Sequence, residues 1–331
     1  KEPMLRTVLP RLADIQRPVR ARLERVVEEL RRIVLTDFPP IVEVNDYLLS
    51  ARGKLFRPTL VLLANEVGGR ARPEAVTLAA VVELIHLATL VHDDAVDHSV
   101  LRRGMPTVNA LWNHQTAVIM GDYLYSRSVS ELARLGEVEW IRVLSRAANQ
   151  MSVGEMRQLV AADALDLAEE EYYRLIECKT ASLISAACEI GALAGDARYR
   201  APLARYGHEL GMAFQIADDL LDYTQTEAVT GKPSGHDLRE HKVTLPLLAA
   251  LAVMDGARRR EVEHFFADPE PTQDGIERVV ELVREHGGLE YARRRAEEYA
   301  DRAAAALEPL PPGPATEALR DAIRYVVGRR R

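Results

Sequence analysis

The sequence predicts a single all-α bundle, and three observations carry that expectation. The 331 residues are rich in Ala, Leu, Glu and Arg and only 5% aromatic, a composition that helices favour. Apolar residues recur at helical spacing along most of the chain, whereas the alternation of half-buried strands is almost absent. No Ser/Gly-rich linker or abrupt change of composition divides the chain, so residues 1–331 are read as one domain, although the length would accommodate two. An apolar fraction of 47% suffices for one large core.

Taken in order, Pro10 and Pro18 bracket an opening segment. Val19–Leu35 then repeats apolar residues at helical spacing (Val27, Leu30, Ile33, Val34), and Pro39-Pro40 is expected to stop it. A shorter helix to about Ser50 leads into ARGKLFRP, where Pro58 sits near the first turn of the next helix. Gly68-Gly69 and Pro73 make a turn before a long helix that ends in an acidic motif. Pro106 and Thr107 restart a helical pattern running toward Gly136. Further helices are expected near 138–162, 169–194, 199–226, 243–254, 258–267, 274–286, 289–308 and 316–328. Most breaks between them are short. Thr226–His241 is longer, polar and glycine-bearing, like an active-site lid.

Composition excludes several classes. With 43 basic and 50 acidic residues the net charge is −7, which argues against a general nucleic-acid binder. Cys178 and Cys188 make neither a disulfide framework nor a zinc motif, so a reducing cytoplasm is expected. No apolar run reaches about 18 residues without a charge, so no transmembrane helix is expected. The opening KEPMLRTVLPRL lacks the pattern of a secretory signal, and its initial Lys suggests a trimmed or processed sequence.

Chemistry concentrates in ELIHLATLVHDDAVDHSVLRRG, residues 83–104. Asp93 and Asp97 share one helix face, about 5–6 Å apart at Cβ. Asp94 lies roughly 100° round the helix. Three acids so close repel one another unless a hard dication joins them, and Mg²⁺ takes oxygen ligands while keeping waters and substrate phosphates. Arg102 and Arg103 follow with fixed positive charge suited to phosphate. A single DDxxD is equally well an acidic surface turn. The pattern recurs, however, in FQIADDLLD, with Asp218, Asp219 and Asp222 at the same spacing behind another apolar run. Two such sets facing one another across a cavity would hold a small cluster of Mg²⁺ ions around one polyphosphate.

Cations accompany the acids. Lys54 and Arg57 stand at a helix entry, where basic side chains and exposed N–H groups suit a diphosphate, although basic residues at helix ends are usually just solvated. Lys179-Thr180, Gln215, Lys232 and Lys242 add charge and polarity near the acidic motifs or the polar loop. His86 lies two turns before Asp93 on the same face. A lone helical His is more often packed in a core, but this one shares a face with the acids.

The order GKxxRP, ELIHxATLxHDDxxDxxxxRRG, KT, FQxxDDxLD and GKxxGxDLxxxKxTLPLL resembles the trans-polyprenyl diphosphate synthases, closest to long-chain members of the octaprenyl and heptaprenyl type. The resemblance runs from about residue 45 to the C-terminus and includes GDYLYSRS and GEMRQL. It implies long helices around a deep apolar cavity with the acidic motifs at its mouth. By the resemblance, Asp93, Asp97 and Asp218 ligate Mg²⁺, three ions per site, while Asp94, Asp219 and Asp222 complete or support the clusters. Arg102, Lys179, Gln215, Lys232 and Lys242 hold the allylic diphosphate; Lys54, Arg57, His86 and Arg103 hold isopentenyl diphosphate. Thr180 and Gln215 stabilise the developing carbocation. The family usually forms homodimers, and contact with membrane is expected to be transient, for product release.

Product length is also legible. Ala88 and Thr89 lie one turn deeper than Asp93, where short-chain members carry a bulky aromatic, and Ile85 continues the wall. Small residues there imply a product beyond C20, in the range of quinone side chains. Leu132, Trp140 or Leu144 are candidates for the floor, or plain core. Two departures stand out: Arg52 replaces a usual Gly, and His236 and His241 replace a usual Asp and Gly. Alternatives are a geranylgeranyl-length enzyme, a class I terpene cyclase, which normally has a different second motif, and a subunit of a heteromeric synthase, which should have lost an acid motif.

Overall fold

The computed structural model describes residues 8–51, 53–224 and 235–329. Among them the regular structure is helical except for a two-residue hairpin, Leu101–Arg102 against Met105–Pro106. The helices in chain order are α1 (Leu12–Gln16), α2 (Arg20–Val34), α3 (Pro39–Ser50), α4 (Phe56–Glu66), α5 (Glu74–Val96), α6 (Val108–Leu111), α7 (His114–Leu135), α8 (Val138–Val160) and α9 (Glu169–Ile176). There follow α10 (Ser182–Leu193), α11 (Arg200–Thr224), α12 (His236–Arg239), α13 (Leu245–Leu251), α14 (Gly256–Ala267), α15 (Gln273–Glu285), α16 (Gly288–Ala306) and α17 (Pro314–Gly328).

Local signals account for most boundaries. The Asn113 side chain accepts from Thr116 N at 2.7 Å to cap α7, which ends at Gly136 in the left-handed region. This cap also splits the pattern expected to run unbroken from Pro106 to Gly136. Pro39-Pro40 does not stop α2. It opens α3, where the missing N–H groups cost nothing because first-turn donors have no intrahelical partner. The lid-like stretch is only partly a loop, since His236–Arg239 forms a helical turn; residues 225–234 lie outside the described residues.

Buried apolar residues from Ile15 to Val326 pack into one contiguous core, with a satellite around Val91, Ala95, Val108 and Met120 at the far end of α5. α5 packs on α2, α4 and α7; α10 packs on α4, α8 and α11; α11 packs on α16. By length and composition α5 alone among the described helices could cross a membrane, against the expectation of none. Two-thirds of its apolar window (67%) is buried inside the protein, as befits a central core helix. α5 and α11 share no extensive contact, and the gap between their C-terminal ends becomes the site.

Candidate active site

The end of α5 and the hairpin after it form one unit. Asp94 is 7% exposed and takes a bidentate pair from Arg102, Nε to Oδ2 at 2.7 Å and Nη2 to Oδ1 at 2.8 Å. Arg102 reaches it because Arg103 (φ 51°) and Gly104 (φ 77°) make the two-residue turn of the hairpin, and such turns need both residues at positive φ. The RRG motif is therefore a hairpin turn that folds its first arginine back onto the acidic helix end.

On α11, Asp219 is 8% exposed and both its oxygens are engaged. Tyr172 Oη donates to Oδ2, and Gln215 Nε2 donates to Oδ1 at 2.9 Å. Thr180 Oγ1 donates in turn to Gln215 Oε1 at 2.7 Å. Asp222 Oδ2 accepts from Asp237 N at 3.0 Å, which ties α12 to the end of α11. Lys179 and Thr180 lie on a single turn of π-helix, Glu177–Ala181, between α9 and α10, the kind of bulge that often marks functional sites. Two glycines let this wider turn fit. A Cβ at Gly154 would lie 2.8 Å from Lys179 Cγ, and one at Gly211 would lie 2.6 Å from Ala181 Cα.

A cavity of about 710 Å³ separates the two helix ends, bordered by Asp94, Asp97 and Arg102 on one side and Asp218, Asp219 and Asp222 on the other, with Lys179 and Lys242 beside them. Its charge is poorly compensated. Burial pushes Asp93 up to about 7; Lys179 opposes this and Glu155 adds to it. Burial also raises Asp97, and it brings Asp219 to about 7 against the hydrogen bond from Tyr172. Lys242 is held above its ordinary value by Asp237 and Glu240 despite burial. Among the described residues no three His, Cys, Asp or Glu side chains converge to hold an ion unaided. Asp93, Asp97 and Asp218 are thus not a closed ligand set. Oxygen donors on two sides of a polar cavity do fit a hard dication that takes its remaining ligands from phosphate and water.

Lys179 Nζ lies 2.9 Å from Glu155 and also bonds Gln158. Lys242 pairs with Glu240 at 3.0 Å. At the departures from the family pattern, His236 pairs with Glu240 at 2.9 Å, and His241 (φ 55°) bonds Asp163 at 2.8 Å. His241 adopts the left-handed conformation for which glycine would be the cheaper residue. Arg52 and Lys232 lie outside the described residues.

The other basic residues gather nearby. Arg57 Nη1 lies 3.3 Å from His86 Nε2, and the Arg57 guanidinium stands 6.0 Å from the Phe214 ring centroid. Arg329, from the last residues of the chain, stacks on the same ring at 4.2 Å and reaches 4.0 Å from Asp218. Burial, followed by Arg57 and Arg103, keeps His86 far below its ordinary value, so it is neutral. Lys54 is exposed and does not line the cavity, with its carbonyl tied to Gln16 at 3.0 Å. Glu83, 5% exposed, is pushed up to about 7 by burial, against the pull of Arg57 and Arg103.

A second cavity of about 720 Å³, which shares Lys179 with the first as a lining residue, runs past Asp93 between α5, α7 and α8. Ile85, Ala88 and Thr89 line it. Leu132, Trp140 and Leu144 do not; all three are buried in the main core. Sequence reasoning missed Tyr172, Glu155, Glu83 and Arg329 as members of the site. Glu83 and Glu155 lie inside the ELIH and GEMRQL stretches and Tyr172 stands two turns before Lys179, whereas Arg329 left no signal.

The polyprenyl synthetase family model matches residues 39–283. The chain belongs to the polyprenyl synthetase family. This polyprenyl synthetase, and hence prenyltransferase, is 38% identical over 318 residues to the all-trans-nonaprenyl-diphosphate synthase (geranyl-diphosphate specific) of Rhodobacter capsulatus, covering 96% of this chain and 97% of that one. It is 38% identical to heptaprenyl diphosphate synthase component 2 of Geobacillus stearothermophilus, covering 92% and 94%. A solved polyprenyl synthase from Caulobacter crescentus, complexed with calcium and isoprenyl diphosphate, superposes with a TM-score of 0.92 at 34% identity, covering 97% of this chain and 100% of that one.

Glu83 gives this polyprenyl synthetase a pH signature. A carboxyl whose folded value is raised binds more protons folded than unfolded between its ordinary value and about 7, so stability falls as pH rises through that window. Glu83→Gln removes the penalty. The variant should gain up to about 3 kcal/mol at pH 8, and the gain should vanish by pH 4. Thermal melts across that range check this; a gain equal at both ends would refute it.

Proposed function

We propose that the chain condenses isopentenyl diphosphate with an allylic diphosphate such as farnesyl diphosphate, in the presence of Mg²⁺, to give an all-trans polyprenyl diphosphate beyond C20. The observation that carries this reading is the pair of acidic motifs on opposite sides of one cavity, with a second cavity, also lined by Lys179, whose wall is small at Ala88 and Thr89. Bound Mg²⁺ supplies charge stabilisation for the departing diphosphate, with Asp93, Asp97 and Asp218 as its ligands and Asp222 in support.

In this reading Arg102, fixed by Asp94, and Lys179 and Lys242 orient the allylic diphosphate, and Lys232 joins them. Their charge acts most strongly as the C–O bond breaks, when the leaving group gains negative charge. Thr180 and Gln215 face the allyl cation with oxygen dipoles. Arg57, neutral His86, Arg103 and Lys54 hold the second diphosphate, so that the isopentenyl double bond reaches the cation; a proton is then lost to the departed diphosphate. The tail grows past Ala88, Thr89 and Ile85. Residues 1–331 act as one cytoplasmic domain that binds no nucleic acid and touches membrane only to release product.

A homodimer fits the surface. Ile119 (59% exposed), Val129, Val153 and Met156 (62%) leave apolar side chains uncovered on α7 and α8, which a homodimer interface there would cover. Light scattering coupled to size exclusion should give twice the mass of the chain, and Ile119→Glu should shift it to the monomer. A wild-type monomer would refute this.

The deciding assay supplies Mg²⁺, labelled isopentenyl diphosphate and farnesyl diphosphate and separates dephosphorylated products by length. A discrete product beyond C20 is expected; a stop at C20 would favour the geranylgeranyl reading, and no elongation would favour a cyclase or a missing subunit like that implied by the heptaprenyl component. In an active enzyme, Ala88→Phe should shorten the product by narrowing the second cavity. Unchanged length would sink the wall assignment.

A further inference from the structure

The middle acids of the two motifs, Asp94 and Asp219, share a local design. Each is nearly buried, and each has both carboxylate oxygens bonded to protein donors, Asp94 by Arg102 alone and Asp219 by Tyr172 and Gln215. Asp94 in this way aims a cation. Asp219 lies at the centre of a longer chain that runs from Tyr172 to Asp219, to Gln215 and to Thr180.

A glutamine amide has a donor end and an acceptor end, and it can turn over unless its neighbours distinguish them. Asp219 Oδ1 accepts from the NH₂ end, while the Thr180 hydroxyl donates to the carbonyl end. Turned over, Gln215 would present N–H groups to a developing cation and repel it. The carboxylate that sets this direction is itself held at its other oxygen by Tyr172, which comes from a different helix, α9. Tyr172 is 1% exposed, and its ring packs edge-on against Tyr173 at 5.6 Å. Tyr173 is anchored in turn, accepting from Arg295 at 2.8 Å and donating to Glu169 at 2.6 Å. The chain of contacts thus starts in rigid, aromatic-packed structure and ends at the reacting centre.

We propose that Tyr172 is a positioning residue for the reaction: through Asp219 it fixes the Gln215 amide so that its carbonyl oxygen, beside the Thr180 hydroxyl, faces the allylic cation. The proposal rests on the functional reading above. It separates the acids by role, with Asp218 serving the metal ions and Asp219 serving Gln215.

The test is steady-state kinetics with farnesyl and isopentenyl diphosphates under varied Mg²⁺, together with thermal melts. Tyr172→Phe removes one oxygen and keeps the ring. It should lower kcat by roughly tenfold or more, as loss of a hydrogen bond to a charged group does, with both KM values and the Mg²⁺ half-saturation within about twofold of wild type. Asp219→Asn should behave likewise, and the double variant should be no slower than Asp219→Asn alone, since the two act in series. Asp218→Asn, by contrast, should raise the Mg²⁺ requirement. Additive losses in the double variant, or a raised Mg²⁺ requirement in Tyr172→Phe, would overturn the proposal. So would a lowered melting temperature with kcat unchanged, which is the mark of a purely structural bond. Should Tyr172→Phe fail to fold, Asp219→Asn decides: slower turnover at unchanged Mg²⁺ demand supports the proposal, and a raised demand overturns it. A wild-type enzyme that elongates no allylic primer would defeat the functional reading itself, and with it this one; that outcome is visible before any variant is compared.

Discussion

Holding clustered carboxylates at a partly desolvated cavity is the constraint that the rest of the structure answers. The two acidic motifs bring six aspartates to the ends of two helices, with Glu155 and Asp237 close by. In a medium of low effective dielectric such groups interact several times more strongly than in water. The protein resolves part of this with its own donors, as the Arg102 fork on Asp94 and the Tyr172 and Gln215 bonds on Asp219 illustrate. Desolvation, with Glu155 adding to it, still leaves Asp93 and Asp97 above the ordinary carboxylate range. A dication bound between the helix ends would reverse that penalty, so the same carboxylates that are costly to desolvate would favour the bound ion.

The surrounding architecture keeps this tension in place. α10 packs on α4, α8 and α11, while α5 and α11 share no extensive contact. The π turn at Glu177–Ala181 offsets Lys179 toward Glu155 and Thr180 toward Gln215, which a regular helix would not do at one turn. Gly154 and Gly211 are the positions where that offset needs room.

Much of this was legible in the sequence, for reasons that particular residues make plain. Helix type followed from periodicity, and the C-terminal helices fall within a few residues of their expected bounds because caps such as Thr272 and Gly287 mark them. The acidic pairs were legible because both partners lie on one helix. What depends on contact between distant segments was not. Pro39-Pro40 read as a stop because breaking one helix and opening another use the same residues. The partners of Lys179 were not legible because Glu155 and Gln158 come from α8, more than twenty residues earlier in the chain. Arg329 left no pattern at all, since its place beside Phe214 and Asp218 depends on how α17 docks on the bundle.

The second cavity shows the same limit from another side. Trp140 and Leu144 were reasonable floor residues by hydrophobicity alone, but α8 has two faces. Its apolar face, with Val143, Leu144, Ala147 and Met151, belongs to the main core. Apart from Met151, which serves both, the cavity is lined from α8 chiefly by polar residues, among them Arg142, Ser145, Asn149 and Ser152. A helix that helps to close a bundle gives its best hydrophobic stripe to the core. The chamber beside it is therefore apolar mainly where α5 faces it, at Ile85 and Ala88. In the reading proposed above, an apolar tail would gain its contact at this α5 wall, which would place control of the tail one turn below Asp93, on the helix that also carries the first acidic motif.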